Sequence, residues 1–194
     1  MQTTDLTGAK FTCCPPLRPS TDLKRLWTAL GAGELQTLGS DHCAFNYSGQ
    51  KDATGGVFTG IPAGLPGVEL RLSIAYTYGV AAGRITLAQW VDLCCSAPAR
   101  LFGLGTRKGS LHVGADADIA LFDPNRQMTV TKSILHENVD YTPYENFCLS
   151  GMVDTTILRG QVLVRGGQWL GASRNGKFIP GQPTKSIDRE ATPQ

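Results

Sequence analysis

Apolar runs and helical periodicities alternate along the first hundred or so residues, and a pattern of strands alone takes over after Leu111. Ala9-Lys10-Phe11-Thr12-Cys13-Cys14 reads as a short buried strand ended by Pro15-Pro16, which cannot continue a central ladder. Ser20 or Thr21 then starts a helix whose apolar positions Leu23, Leu26, Trp27 and Leu30 recur at helical spacing, and Gly31-Ala32-Gly33 stops it. Leu35 to Ser40 forms a second apolar strand. It opens into a glycine-rich loop of some two dozen residues, far beyond the median connection of about four to six, and loops of that length usually carry function. Val68, Leu72, Ala75, Tyr76 and Gly79 predict a helix with one apolar face. Thr86 caps another, carrying Leu87, Trp90, Val91, Cys94 and Cys95, and Pro98 and Gly103 punctuate a further helical stretch toward Leu104.

Asp118 to Pro124, Gln127 to Thr131, and the pair Thr155–Arg159 and Gln161–Arg165 read as strands, the last two folded about Gly160. Beyond Gly171 the chain holds Gly, Pro, Lys and Ser with little apolar content, so that tail is either disordered or ordered only against a neighbour.

With 194 residues and 41% apolar content, the chain can bury a sizeable core. Its 18 basic and 16 acidic residues are spread without any Lys/Arg run, which argues against nucleic acid or a lipid surface as a partner. Six cysteines, including the adjacent pairs Cys13-Cys14 and Cys94-Cys95 in apolar stretches, read as reduced thiols of a cytoplasmic protein. The N-terminal residues carry neither a basic n-region nor an apolar h-region, and no run approaches the roughly 18 apolar residues of a spanning helix.

Ser40-Asp41-His42 follows the second strand. A carboxylate at the C-terminal mouth of a buried strand is where a parallel α/β barrel keeps its catalytic groups, and its desolvation calls for a positive partner such as a metal ion. Asp in the same position also caps helices and turns, and that reading stays open.

His42-Cys43-Ala44-Phe45, Gln50-Lys51 and Ile61-Pro62-Ala63-Gly64-Leu65-Pro66-Gly67-Val68-Glu69-Leu70-Arg71 resemble the last barrel loop of the dihydropyrimidinase and hydantoinase family. Upstream, Gly8 to Arg18 is similar to that family's seventh strand and its Pro-Pro-Leu-Arg turn. Downstream, Ala97 to Leu104, Gly114-Ala115-Asp116-Ala117-Asp118-Ile119 and His136-Glu137-Asn138-Val139-Asp140-Tyr141-Thr142-Pro143-Tyr144-Glu145 match it in order and approximate spacing, so the resemblance covers about Gly8 to Phe178. It implies an α/β chain, the C-terminal part of a metal-dependent amidohydrolase (β/α)8 TIM barrel followed by part of a small β-sandwich module. Strand-helix units then occupy residues 1–107, the β module 108–171 and an extended tail 172–194. Two strand-helix units fall short of the eight a barrel takes, so the chain is expected to be incomplete and inactive alone.

The resemblance further implies a binuclear site, commonly zinc, in which Asp41 is both a metal ligand and the group that shuttles a proton from the attacking hydroxide to the leaving nitrogen. The substrate would be a cyclic ureide or imide. Cys14 stands where the family has a ring-contacting Ser, and Ala63 where it has an Asn that works mainly through its main chain; buried thiol and turn residue are the alternative roles. The family's remaining ligands have no counterpart here. With only His42, His112 and His136, no complete metal cage can be assembled, and His42 should point away from Asp41 if the strand pleat persists.

Lys51, Glu69 and Arg71 are expected to pair around the loop as surface ions. Asp116 and Asp118 read as turn and edge residues rather than a calcium site. Full-length relatives imply a dimer or tetramer. A non-catalytic, dihydropyrimidinase-related assembly protein, or an inactive truncated product, is the alternative to a cyclic-amide hydrolase.

Overall fold

Leu70 and Ala75 sit five positions apart and face opposite ways, and around them the computed structural model, which describes residues 6–171 and 176–182, builds two apolar clusters. Helix α1 spans Ser20–Gly31, α2 spans Arg71–Ala75, α3 Leu87–Val91 and α4 Ala97–Leu101. Strands β1 (Ile119–Thr129), β2 (Cys148–Leu158), β3 (Gln161–Arg165) and β4 (Gln168–Trp169) form one antiparallel sheet in that order.

Thr86 starts α3 with a capping box: its hydroxyl accepts from the Gln89 N–H, and the Gln89 side chain reaches back to the Thr86 N–H. The helix then continues through a π-helical segment, Asp92–Ser96, into α4, where Pro98, which has no N–H to give to the helix ladder, sits in the first turn. In the same way α2 passes into the π-helical segment Tyr76–Ala81. One face of this stretch gives Leu70, Ile74 and Tyr78 to a cluster with Val130, Leu135 and Leu149, while the other packs Ala75 against Ile85, Trp90 and Leu93. The Thr77 hydroxyl donates to the Ser150 carbonyl at 2.9 Å and accepts the Ser150 N–H at 3.0 Å, which fixes the helix to β2.

The two expected strands before and after Pro124 are one bent strand, β1. Its pairing with β2 jumps between Asp123 and Gln127, because a proline cannot donate to the ladder. Strand β2 begins at Cys148, seven residues before its expected start at Thr155, since Ser150, Gly151 and Asp154 hide its period. Arg159 (φ 47°) and Gly160 (φ 80°) both take the left-handed region, the geometry of the two-residue hairpin turn whose twist matches its strands.

The expected strands at residues 9–14 and 35–40 are not formed. Leu6–Phe11 is a 3-10 turn, and residues 35–40 join no ladder. A parallel strand is held by neighbours on its edges, and among the described residues the only parallel pairing is a single bridge between His42 and Leu65. Likewise, one sheet is present among the described residues where a sandwich would show two. Of the tail, residues 172–175 and 183–194 lie outside the described residues; the Gln182 N–H donates to the Gly103 carbonyl at 2.9 Å, so part of it packs on this chain itself. No helix among the described residues is long and apolar enough to cross a membrane.

Candidate functional site

The loop Ile61 to Gly67 lies between two other segments and is bonded to both. On one side the Gly64 N–H donates to the Thr12 carbonyl (3.0 Å); on the other, the Cys43 N–H donates to the Leu65 carbonyl (3.1 Å), beside the His42–Leu65 bridge. Gly64 is required there, because a Cβ would come within 2.8 Å of the Cys43 Cβ. Through these bonds the structure brings the segments carrying Cys14, Asp41 and Ala63 to one loop.

Asp41 is exposed and its backbone is left-handed, with φ 47°, a conformation that Asp tolerates better than most residues. Among the described residues its carboxylate makes no hydrogen bond or ion pair. His42 is bound to the loop instead: its Nδ1 accepts the N–H groups of Gly67 (3.1 Å) and Val68 (3.3 Å). Glu137 lies 3.7 Å from the same nitrogen; its side chain is only 3% exposed, and its Oε2 has no hydrogen-bond partner among the described residues. Cys14 and Ala63 are both exposed, Cys14 preceding a cis peptide to Pro15.

Lys51 departs from expectation. It is fully buried, and its ammonium donates to the carbonyls of Thr12 (2.9 Å) and Pro62 (2.8 Å). Burial pushes its pKa down, against the pull of the nearby Cys13 and Cys43. The expected surface pairing with Glu69 and Arg71 is not made, because each finds a nearer partner: Glu69 binds His136 at 2.7 Å, and Arg71 donates to the Leu38 carbonyl at 2.8 Å. Burial raises the phenol of Tyr141, helped by Asp140, to about 12, and that phenol donates to the Lys10 carbonyl. Asp140 in turn accepts the N–H groups of Tyr47 (2.6 Å) and Ser48 (2.9 Å).

Lys51, Glu137 and Asp140 are therefore part of the site's frame although sequence periodicity did not mark them. Their partners are carbonyls and amides many positions away, and no local spacing signals that. Resemblance alone marks them, through Gln50-Lys51 and the block from His136 to Glu145. Asp116 and Asp118 both bind Lys108, and Asp116 also pairs with Arg107 at 2.9 Å. Among the described residues no three His, Cys, Asp or Glu side chains converge to hold a metal ion. The site can thus offer one unpartnered carboxylate, a thiol and the main chain of a fixed loop.

A family model described as "Amidohydrolase family" matches residues 2–163. The D-hydantoinase of Rhizobium radiobacter is 44% identical over 174 residues, covering 90% of this chain and 38% of the relative. The solved D-hydantoinase of Bacillus sp. AR9 superimposes with a TM-score of 0.89 at 46% identity, over 91% of this chain and 39% of that one. The dihydropyrimidinase of Brevibacillus agri gives 0.85 at 46% identity, over 87% and 37%. This chain thus spans little more than a third of the length of the relatives it matches.

Proposed function

Given that the chain belongs to the amidohydrolase family, we propose that it is the C-terminal portion of a hydantoinase- or dihydropyrimidinase-type hydrolase that opens the ring C–N bond of a cyclic ureide or imide. In this reading residues 1–107 belong to the barrel, 108–171 to a β-sandwich module and 172–194 to an extended tail. The observation that carries it is identity to D-hydantoinases sustained over 90% of the chain, with the Asp41 carboxylate free of hydrogen-bond and ion-pair partners among the described residues.

An exposed, unpartnered carboxylate fits a metal ligand, and zinc is the ion we propose, with the other ligands supplied from outside these residues. A bound zinc ion supplies hydroxide near neutral pH by lowering the pKa of water to about 7. Asp41 would take the proton of the attacking oxygen and pass it to the leaving ring nitrogen. The Cys14 thiol and the Ala63 main chain would contact the ring. Six free thiols support a reducing, cytoplasmic setting, and full-length assembly would be oligomeric.

The test is to join this chain to the N-terminal remainder of the R. radiobacter D-hydantoinase and measure zinc-dependent hydantoin hydrolysis. Turnover should appear, and Asp41→Asn should lower it by about a thousandfold or more. Unchanged turnover in that variant would remove the role given to Asp41, and a joined protein that folds and binds zinc yet hydrolyses no cyclic amide would favour the non-catalytic alternative.

A further inference from the structure

Burying an ammonium is costly, and the usual compensation is a carboxylate. Lys51 is fully buried and has none among the described residues; its hydrogen-bond acceptors there are two neutral carbonyls, from residues 39 and 11 positions away, with the Phe45 ring 6.0 Å off. Packing alone would be served more cheaply by an apolar side chain of the same length. What an ammonium adds is three donors on one atom, enough to tie two carbonyls from separate segments to a single point.

Those carbonyls belong to Thr12 and Pro62, and the Thr12 oxygen also accepts the Gly64 N–H at 3.0 Å. Ala63 is therefore held from both sides. The carbonyl before it is bound to Lys51, and the N–H after it is bound to Thr12. In a planar trans peptide the N–H and C=O point in opposite directions. Fixing the Pro62 carbonyl thus aims the Ala63 N–H away from Lys51, and fixing the Gly64 N–H aims the Ala63 carbonyl away from Thr12. Neither Ala63 group has a backbone partner among the described residues. One donor and one acceptor on neighbouring peptides are what the N–H and C=O of a cyclic ureide would pair with.

We propose that Lys51 is a positioning residue for ring binding, setting the Ala63 main chain at a fixed place relative to Cys14 through the carbonyls of Pro62 and Thr12. This rests on the functional reading above, in which Ala63 and Cys14 contact the ring. Lys51 itself touches no substrate. Its removal should loosen binding of the ring and leave the chemical step largely intact.

Two measurements test this and separate its failure from that of the functional reading. In the isotope-labelled 194-residue chain, Lys51→Met should shift the amide signals of Cys14, Ala63 and Gly64 and leave those of the sheet in place; unmoved signals at Cys14 and Ala63 overturn the proposal whether or not the enzyme is active. In the joined enzyme, the same substitution should raise KM for hydantoin about tenfold with kcat held within about threefold, at unchanged zinc content. A loss confined to kcat would overturn it. If the joined enzyme with native Lys51 hydrolyses no cyclic amide, the functional reading falls while the amide signals still decide the clamp. Should Lys51→Met not fold, Lys51→Gln, which keeps N–H donors on a shorter stem, takes its place with the same expectations.

Discussion

The ring of Phe122, on β1, lies 4.9 Å from the indole of Trp90, on α3, and also 4.9 Å from the ring of Tyr76. This aromatic triad packs the sheet against the cluster of Ala75, Ile85 and Leu93. Phe122→Ala should therefore cost about 3 kcal/mol, the lower end for a buried phenylalanine because this ring is only half-buried. Urea unfolding followed by tryptophan fluorescence would show it, and a change below about 1 kcal/mol would mean that the Leu70–Leu149 cluster and the Thr77–Ser150 bonds hold the sheet without the triad.

Gly151 faces the same triad. Its φ of 81° is one that side chains rarely adopt, and a Cβ there would meet the Phe122 ring at 2.5 Å and the Tyr76 ring at 2.7 Å. Gly151→Ala combines backbone strain with overpacking, so a loss of about 2–4 kcal/mol is expected. Gly160 has a similar φ, 80°, but open space around it. Gly160→Asn, a residue that tolerates this region, should leave stability within about 0.5 kcal/mol. Equal effects at the two positions would show that crowding at Gly151 is unimportant.

Glu69 accepts the His136 N–H at 2.8 Å and sits 2.7 Å from its Nδ1. That hydrogen bond, and then the carboxylate charge, raises the His136 pKa above its ordinary value of about 6.5. A raised folded pKa means that the pair's contribution is fully present below about pH 6.5 and is lost as pH rises through the folded value. The ring is exposed, so the effect is small. Stability measured from about pH 6 to pH 9 should fall more in the native protein than in Glu69→Gln, and parallel curves would remove the linkage.

Helix α1, the Thr86 cap and the hairpin at Gly160 were legible in the sequence because each depends on neighbours within a few positions: an apolar stripe, a Thr with Gln three residues on, a glycine where φ must be positive. The strands expected at 9–14 and 35–40 were not, since an apolar run becomes a strand only when another strand lies beside it. At the candidate site, Asp41 stood out by its place after an apolar run, whereas Lys51 looked like a surface charge in a glycine-rich loop. Its burial is created by Thr12 and Pro62, whose carbonyls carry no mark in the sequence.

The bonds from Asp140 to Tyr47 and Ser48 span 93 and 92 positions. The backbone a few residues after Asp41 is thus tied to residues just ahead of β2, well outside the stretch from Cys14 to Ala63. Drift in that distant segment would reach the loop after Asp41 without altering any residue of the loop itself, so grafts of the loop alone onto another scaffold should hold its conformation less faithfully than grafts that bring residues 136–145 with it.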